Sequence, residues 1–453
     1  MKLFLLAHGL VGRTDLPIPK WLFGWAAAVV LVISFAALAV LWPKPELQEE
    51  RGRRWFRMPQ IVDPLLGLIG VASFVAVVYA GLRGAQDAQD NLAPTIIYVH
   101  FWVGMAVASV LFGDVFRALN PWRAVARFVA WVAGRISREE MPAPLQYPAK
   151  LGRWPAALSI LIFTWVELSY VNRDDPSQLA IMALAYAAVQ LIGMSFFGIE
   201  TWEDRADGFQ VLFSTYARLS PFRRKNRDLW ARPPLNGAPR LLTIPGTIAL
   251  LVVAIGTTSF DGFSNGPVWA SLGPDLSNVF GDIGFGLTAR GELANTVGLV
   301  GMCLLVGGFY MVGIRGMTNV GRGRHTAGEL AQRFAHTLIP IAFAYALAHY
   351  FSLLMYQGQA LGYLISDPLG NGSDLFGTAD AGIDYNVVTA TSIWYVQVGA
   401  LVAGHISGLI LAHDRALAIY TNAREAVRSQ YWMLIVMIGF TSLGLWLLSA
   451  LTS

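Results

Sequence analysis

The chain is 453 residues long, 55% of its residues are hydrophobic, only 14% are charged, and its formal net charge is +4. A soluble domain carries about 25% charged residues, so this composition excludes an ordinary soluble protein. Apolar runs of roughly 18 residues recur, each long enough to cross a bilayer core of about 30 Å. We therefore predict an all-α polytopic membrane protein, folded as a single transmembrane helical domain over residues 1–453.

Ten transmembrane helices are predicted from the apolar runs, at residues 21–42, 61–82, 95–113, 155–171, 179–200, 243–260, 294–314, 334–356, 389–413 and 431–451. The loops that follow the odd-numbered spans contain 27 of the 33 lysines and arginines. Because the cytoplasmic loops of membrane proteins are enriched in these residues, we expect those loops inside. Both termini should then lie on the outer, periplasmic side.

The basic charge does not indicate a nucleic-acid partner. The stretch SPFRRKNRDLW at 220–230 lies in a predicted inner loop, where contact with anionic lipid is favoured over contact with RNA. We expect the lipid bilayer, and no nucleic acid, as a partner. Cys303 is the only cysteine, which excludes an internal disulfide and sites built from several cysteines. Neither a dinucleotide fingerprint nor a Walker loop is found.

Two outer loops, 258–293 and 357–388, are predicted to be long, acidic and rich in glycine. Their sequences TTSFDGFSNGPVW and SDPLGNGSDLFGTADAGIDYN contain many turn-forming residues. Loops of more than about 12–15 residues are often functional, and these two are candidates for a lid over a site at the outer face. The alternative is that they are solvated loops without a chemical role.

Four ionisable side chains share one predicted depth near the outer face. His100 and His349 lie five to seven residues inside their spans, which is roughly 8–11 Å from the outer ends. Glu167 lies near the outer end of the fourth span, and Asp261 directly follows the sixth. Such groups are costly against lipid, so we expect them to face a polar interior.

Two imidazoles and two carboxylates at one level could bind a divalent metal and activate a water molecule on it. We therefore predict His100 and His349 as metal ligands and Glu167 and Asp261 as catalytic residues. The alternative is that each is a hydrogen-bonded interior group that takes no part in chemistry.

A second group of histidines, His336, His405 and His413, is predicted toward the inner face. His405 and His413 are separated by about 12 Å along one helix, so a single metal would not bind both. Histidines on facing helices could bind a b-type haem or form a proton relay, and the three are candidate cofactor ligands. The alternative is that they cap and anchor helix ends, with Asp414 and Arg415 as an ordinary interfacial pair.

The chain resembles the bacterial integral-membrane proteins of the fenitrothion hydrolase family in LLAHGLVGRTDLPIPKWLFGWAAAVVLVISFAAL, FGDVFRALNPWR, GTTSFDGFSNGPVW, AHYFSLLMYQGQ and GHISGLILAHDRAL. These stretches run from near the N-terminus to the predicted ninth span, but they contain no catalytic signature. The resemblance implies a multi-pass protein of the bacterial cytoplasmic (inner) membrane that hydrolyses an organophosphorus triester. The substrate would be a small apolar phosphorothioate with a nitrophenolate leaving group.

Two other classes of function stay open at this point. The last two stretches also resemble, distantly, the membrane portion of ferredoxin-type electron-transfer proteins, whose cysteine clusters this chain lacks. An electron-transfer subunit would bind b-type haem or a metal and would work with a partner membrane subunit. A transporter is the other alternative, although the two halves of the chain show no convincing internal repeat.

Overall fold

The computed structural model describes residues 20–136, 144–320, 325–420 and 422–450, and in these residues the fold is helical apart from one small sheet. The elements, in chain order, are α1 (Lys20–Leu41), β1 (Arg53–Arg57), α2 (Val62–Arg83), α3 (Leu92–Phe112, π-helical over Thr95–Gly104), α4 (Val115–Leu119), α5 (Pro121–Ile136), α6 (Trp154–Leu168), α7 (Pro176–Phe197), α8 (Ile199–Arg205), α9 (Gly208–Tyr216), β2 (Phe222–Lys225), β3 (Asp228–Ala231), α10 (Thr247–Ser264), α11 (Pro267–Asp282), α12 (Leu287–Val320), α13 (Ala327–Phe334), α14 (Leu338–Tyr356), α15 (Leu361–Leu364), α16 (Ala390–Ile419), α17 (Ala423–Ser429) and α18 (Tyr431–Ala450). Short 3₁₀ segments occupy Ala238–Arg240, Ala335–Thr337 and Gln357–Ala360. Residues 1–19, where the first stretch of family resemblance begins, lie outside the described residues.

The all-α, multi-pass fold predicted from composition is confirmed. Among the described residues, eight helices are long and apolar enough to cross a membrane, and they coincide with predicted spans one to three and five to nine. The fourth predicted span is α6, whose 15 residues form a shorter apolar helix of about 22 Å. The tenth predicted span coincides with α18.

The interior of the bundle is built around α10. Buried residues make up 72% of this span but only 17% of the α1 span, so α10 is central and α1 faces outward. Helices α6, α12 and α14 all pack against α10. Gly256 permits a close contact with α12, because a Cβ atom at this position would lie only 2.7 Å from the Cα of Cys303. Polar residues on α10 are therefore enclosed by protein.

A three-stranded antiparallel sheet connects two of the predicted inner loops. Strand β3 lies in the middle, with β1 on one side and β2 on the other. Trp55 of β1 stacks on Phe222 of β2 with ring centroids 5.3 Å apart. The sequence analysis did not predict these strands, because each is only four or five residues long and β1 pairs with a partner that is distant in the chain.

The prediction that 258–293 is a loop was wrong. Helix α10 continues to Ser264, and α11 occupies most of the remainder. Its glycines and aspartates suggested turns, but Trp269, Leu272 and Leu276 recur at helical spacing. Trp269 packs against Phe260 with ring centroids 5.1 Å apart, which fixes α11 on the bundle.

The segment 357–388 begins with helical turns up to Leu364 and is then irregular. Its aspartates organise the turns. Asp367 accepts hydrogen bonds from the backbone N–H groups of Asn371 and Gly372, and Asp374 accepts from Ser366 Oγ and from the backbone N–H of Ala379. The backbone hydrogen bonds hold the pKa of the Asp374 carboxyl below its usual value. A role of this segment as a lid stays a prediction.

Candidate functional site

Asp261 is the centre of a buried polar cluster between α10 and α14. Its Oδ2 atom lies 2.8 Å from Nε2 of His349 and accepts a hydrogen bond from the Tyr350 hydroxyl at 3.0 Å. The side chains of His349 and Asp261 are only 7% and 3% exposed. Two consecutive residues of α14 therefore contact the carboxyl group of Asp261. The sequence analysis predicted Asp261 and His349 at the same depth.

The end of α10 is held in place by local hydrogen bonds that fix the position of Asp261. Asn265 Nδ2 donates to the backbone carbonyl of Asp261 at 2.8 Å, and Ser264 Oγ donates to the same carbonyl at 2.9 Å. On the other side, the rings of His349 and Tyr350 pack edge to face at 4.7 Å. Both partners of the contact are thus oriented by their own helices.

The contact between Asp261 and His349 determines where the histidine can act. An ionised carboxylate only accepts hydrogen bonds, so with Asp261 ionised the ring proton of His349 is on Nε2. The other nitrogen, Nδ1, then carries the lone pair of the ring. His349 is thus arranged as a proton acceptor whose orientation is set by a buried carboxylate.

Glu167 adds a second buried carboxyl group to the cluster. It lies in the last turn of α6, interacts electrostatically with Asp261 and is within hydrogen-bonding reach of Tyr350. Its Oε2 atom has no hydrogen-bond partner among the described residues. The predicted proximity of Glu167, Asp261 and His349 is therefore present in the structure, and Tyr350 lies near both carboxyl groups.

His100 lies in the π-helical part of α3 and is half-buried. Its ring approaches the backbone of Gly358, and Nε2 has no partner among the described residues. No hydrogen bond joins His100 to His349 in the described chain. A π-helical segment is uncommon and is often found at functional sites, but hydropathy patterns do not distinguish it from an α-helix.

A divalent metal at His100 and His349 stays a prediction. The Nε2 atom of His100 has no hydrogen-bond partner within the described ranges, as a metal ligand requires, whereas His349 uses its Nε2 atom in the contact with Asp261. In the same part of the chain, no group of three or more His, Cys, Asp and Glu residues has a geometry that could hold a metal ion. The two histidines therefore fit a metal only in part.

The three inner histidines have different surroundings. Both ring nitrogens of His413 have a hydrogen-bond partner. Its Nε2 atom lies 3.1 Å from the Trp42 carbonyl oxygen, and its Nδ1 atom lies 3.3 Å from the side-chain amide nitrogen of Gln430. His336 and His405 each have an Nε2 atom without a partner among the described residues. A haem bound by the inner histidines stays a prediction, but both ring nitrogens of His413 are already used in hydrogen bonds that anchor its helix.

Asp414 is a structural residue that the sequence analysis understood only as half of an interfacial pair. It is fully buried and accepts four hydrogen bonds from the segment that follows α1, namely from Trp42 Nε1, the backbone N–H of Glu46, the backbone N–H of Leu47 and Gln48 Nε2. Its neighbour Arg415 instead donates to the carbonyl of Pro239. Asp414 thus ties the end of α1 to α16.

A second buried network, on the predicted inner side, was not anticipated. Asp207 accepts hydrogen bonds from Asn120, Trp122, Tyr186 and the backbone N–H of Gln210. Nearby, Glu203 is fully buried, and neither of its carboxyl oxygens has a hydrogen-bond partner among the described residues. Burial raises the pKa of Glu203 to about 8 although Arg123 and Arg117 oppose the shift. The FGDVFRALNPWR motif forms the other half of this network.

Comparisons with protein-family models, with curated protein sequences and with solved structures found no match to this chain.

Proposed function

We propose that the chain is a membrane-embedded hydrolase in which Asp261 and His349 activate water against an organophosphorus triester. The observation that supports this proposal is the buried 2.8 Å contact between the two side chains. A histidine oriented by a carboxylate is the arrangement that many hydrolases use as a general base. The substrate class comes from the family resemblance of the sequence.

In the proposed reaction, a water molecule attacks phosphorus while one of its protons passes to Nδ1 of His349. The bond between phosphorus and the nitrophenolate oxygen breaks, and the phenolate leaves with the bonding electrons. Asp261 stabilises the imidazolium that forms, since it lies at hydrogen-bond distance from Nε2. The other products are the phosphorus diester and the proton, which His349 later returns to solvent.

Glu167 and Tyr350 would serve this reaction as auxiliary groups. Tyr350 donates to the same Asp261 oxygen as His349, which keeps that carboxylate in place during proton transfer. Two buried carboxylates so near each other would repel when both are charged, so the pair favours a state in which Glu167 holds a proton. A protonated Glu167 could donate a hydrogen bond to the developing charge on the substrate.

In this proposal the substrate reaches the cluster from the lipid. An apolar triester partitions into the bilayer, and the cluster is formed by the spans α10 and α14 with the short apolar helix α6. The proposal assigns no step to a metal. A divalent ion on His100 or His349 would supply a bound hydroxide in addition, because metal binding lowers the pKa of water.

The test is the rate of nitrophenolate release by the purified chain in lipid vesicles. General-base catalysis contributes about 10²–10⁴-fold, so His349→Gln and Asp261→Asn should each lower the rate by at least about 100-fold. Thr257→Val is the matched control on α10, because its buried hydroxyl bonds only to the Val253 carbonyl of its own helix. A rate in His349→Gln equal to that of the control would exclude the proposed base.

Proton-coupled transport is a second candidate, supported by the buried Oε2 atom of Glu167, which lacks a hydrogen-bond partner in the described part of the chain and interacts electrostatically with Asp261. A carboxyl pair that exchanges a proton inside a helical bundle is typical of proton relays. A transporter should acidify or alkalinise the vesicle lumen when a pH gradient and its substrate are present. The same vesicles therefore distinguish the two functions, because hydrolysis releases nitrophenolate without requiring a gradient.

A further inference from the structure

A small cavity lies in the interior of the bundle, apart from the Asp261 cluster. Its volume is about 40 Å³, which is more than one water molecule needs. Helices α10, α12, α14, α16 and α18 all contribute to its lining, mostly with apolar side chains. The three side chains in this lining that can bind a soft metal are His405, Met433 and Met437.

His405 has the hydrogen bonding of a histidine prepared to bind a metal. It is fully buried, and Nδ1 lies 2.8 Å from the backbone carbonyl of Leu401. A carbonyl can only accept, so Nδ1 carries the proton and Nε2 carries the lone pair. Nε2 has no hydrogen-bond partner among the described residues. Metal-binding histidines commonly donate their other ring N–H to a carbonyl in this way.

The two methionines lie one turn apart on α18, so both face the cavity from the same side of the helix. Glycines on the neighbouring helices make room for them. A Cβ atom at Gly313 would lie 3.0 Å from Met433 Sδ, and one at Gly408 would lie 3.2 Å from Met437 Cε. Gly408 is one turn from His405 on α16, which brings the Met437 thioether to the His405 side of the cavity.

We propose that this cavity is a binding site for Cu(I), with His405 Nε2 and the thioether sulfurs of Met433 and Met437 as ligands. Imidazole and thioether are uncharged ligands, and thioethers select soft ions such as Cu(I). No carboxylate lines the cavity, so a hard divalent cation would find no compensating charge there. A monovalent ion has the smallest cost of transfer into such an apolar environment.

The competing explanation is that the methionines only fill space, since methionine adapts to irregular gaps in a core. That explanation leaves the buried lone pair of His405 without a partner among the described residues, and burying an unsatisfied polar atom is unfavourable. Space filling and metal binding make different predictions when methionine is replaced by leucine, because this exchange conserves volume and removes only the sulfur.

The experiment titrates the detergent-purified full chain with Cu(I) under reducing, anaerobic conditions, in competition with the chromophoric chelator bathocuproine disulfonate. We expect one equivalent of Cu(I) per chain, and X-ray absorption should show nitrogen and sulfur neighbours. The double variant Met433→Leu, Met437→Leu and the variant His405→Gln should each weaken Cu(I) binding at least tenfold.

Two matched controls belong to the titration. Met317→Leu removes a fully buried thioether elsewhere on α12, and His336→Gln removes a buried imidazole that does not line the cavity. Both should bind Cu(I) like the parent chain. Absence of stoichiometric binding by the parent chain would overturn the proposal, and so would equal binding by the double variant. Should a variant fail to fold, the absorption spectrum of the parent chain alone still decides, because oxygen-only neighbours contradict the ligand set.

Discussion

Asp414 should be one of the most sensitive single residues for stability. Replacing it by Asn leaves one acceptor where four donors converge and places an amide N–H group against them. Because a lost hydrogen bond to a charged group costs about 1.5–3 kcal/mol, we expect Asp414→Asn to destabilise the protein by at least that amount. Thermal unfolding of the detergent-purified protein measures this, with Asp87→Asn in an exposed turn as the control.

Glu203 should make stability depend on pH. Its folded-state pKa is about 8, well above the ordinary glutamate value of 4.5, so between these values the folded protein retains a proton that the unfolded chain has lost. Stability should therefore fall as pH rises through this window. Glu203→Gln carries no ionisable group and should flatten the dependence, with a higher melting temperature than the parent at pH 9. Parallel curves for variant and parent from pH 5 to pH 9 would contradict this assignment.

The sequence predicts which residues lie near each other where their depth along the membrane helices is enough to decide it. Glu167, Asp261 and His349 were placed at one level, and the structure brings them together. Hydrogen-bond direction was not predictable, because it depends on helix rotation. That is why two features became visible only in three dimensions: the role of Asp414 as a hydrogen-bond acceptor, and the Nε2 atoms of His336 and His405 that have no partner among the described residues.

At the scale of elements, the contact between α14 and α16 depends on one glycine. A Cβ atom at Gly404 would lie 2.3 Å from Ala344 Cβ and 2.8 Å from the Pro340 carbonyl oxygen. We expect Gly404→Ala to force the helices apart and to destabilise the protein by about 1–3 kcal/mol, the usual cost of overpacking. Gly399→Ala on the same helix is the control, since no atom lies within 4 Å of its added Cβ. Equal melting temperatures for the two variants would refute the close contact.

Long apolar helices were predictable because the bilayer requires about 20 apolar residues for each span. Elements that rely on other contacts were not. Helix α11 has a mixed composition that resembles a loop, and it is held by the packing of Trp269 on Phe260. The inner sheet forms between strands from separate loops, and the π-helical segment around His100 has the same apolar composition as an α-helical span.

For the whole molecule, the distribution of lysine and arginine predicts the orientation in the membrane. Reporter domains fused after residue 60 or after residue 230 should both read cytoplasmic, since residue 60 follows β1 and residue 230 lies in β3 of the inner sheet. A fusion after residue 380, in the segment that follows α15, should read periplasmic. The opposite pattern would place the Asp261 cluster near the inner face and would remove its access from the outer leaflet.

The arrangement of the whole bundle gives the two polar centres different surroundings. The Asp261 cluster contains two carboxyl groups and lies among α6, α10 and α14, whereas the cavity at His405 has no carboxylate in its lining and two methionine sulfurs. Acid–base chemistry suits the former and a soft ion suits the latter. The variants of one centre should therefore leave the other unaffected, and their combined effects on stability should be additive.

The central claim is that Asp261 and His349 act as one catalytic unit, and a double-mutant cycle on nitrophenolate release in lipid vesicles tests it most directly. If His349 accepts the proton and Asp261 acts through it, the variant with both Asp261→Asn and His349→Gln should be no slower than the slower single variant. Each single variant should be at least about 100-fold slower than the parent chain. A double variant that hydrolyses the triester at the parental rate, or whose loss is the product of two independent losses, would contradict the account.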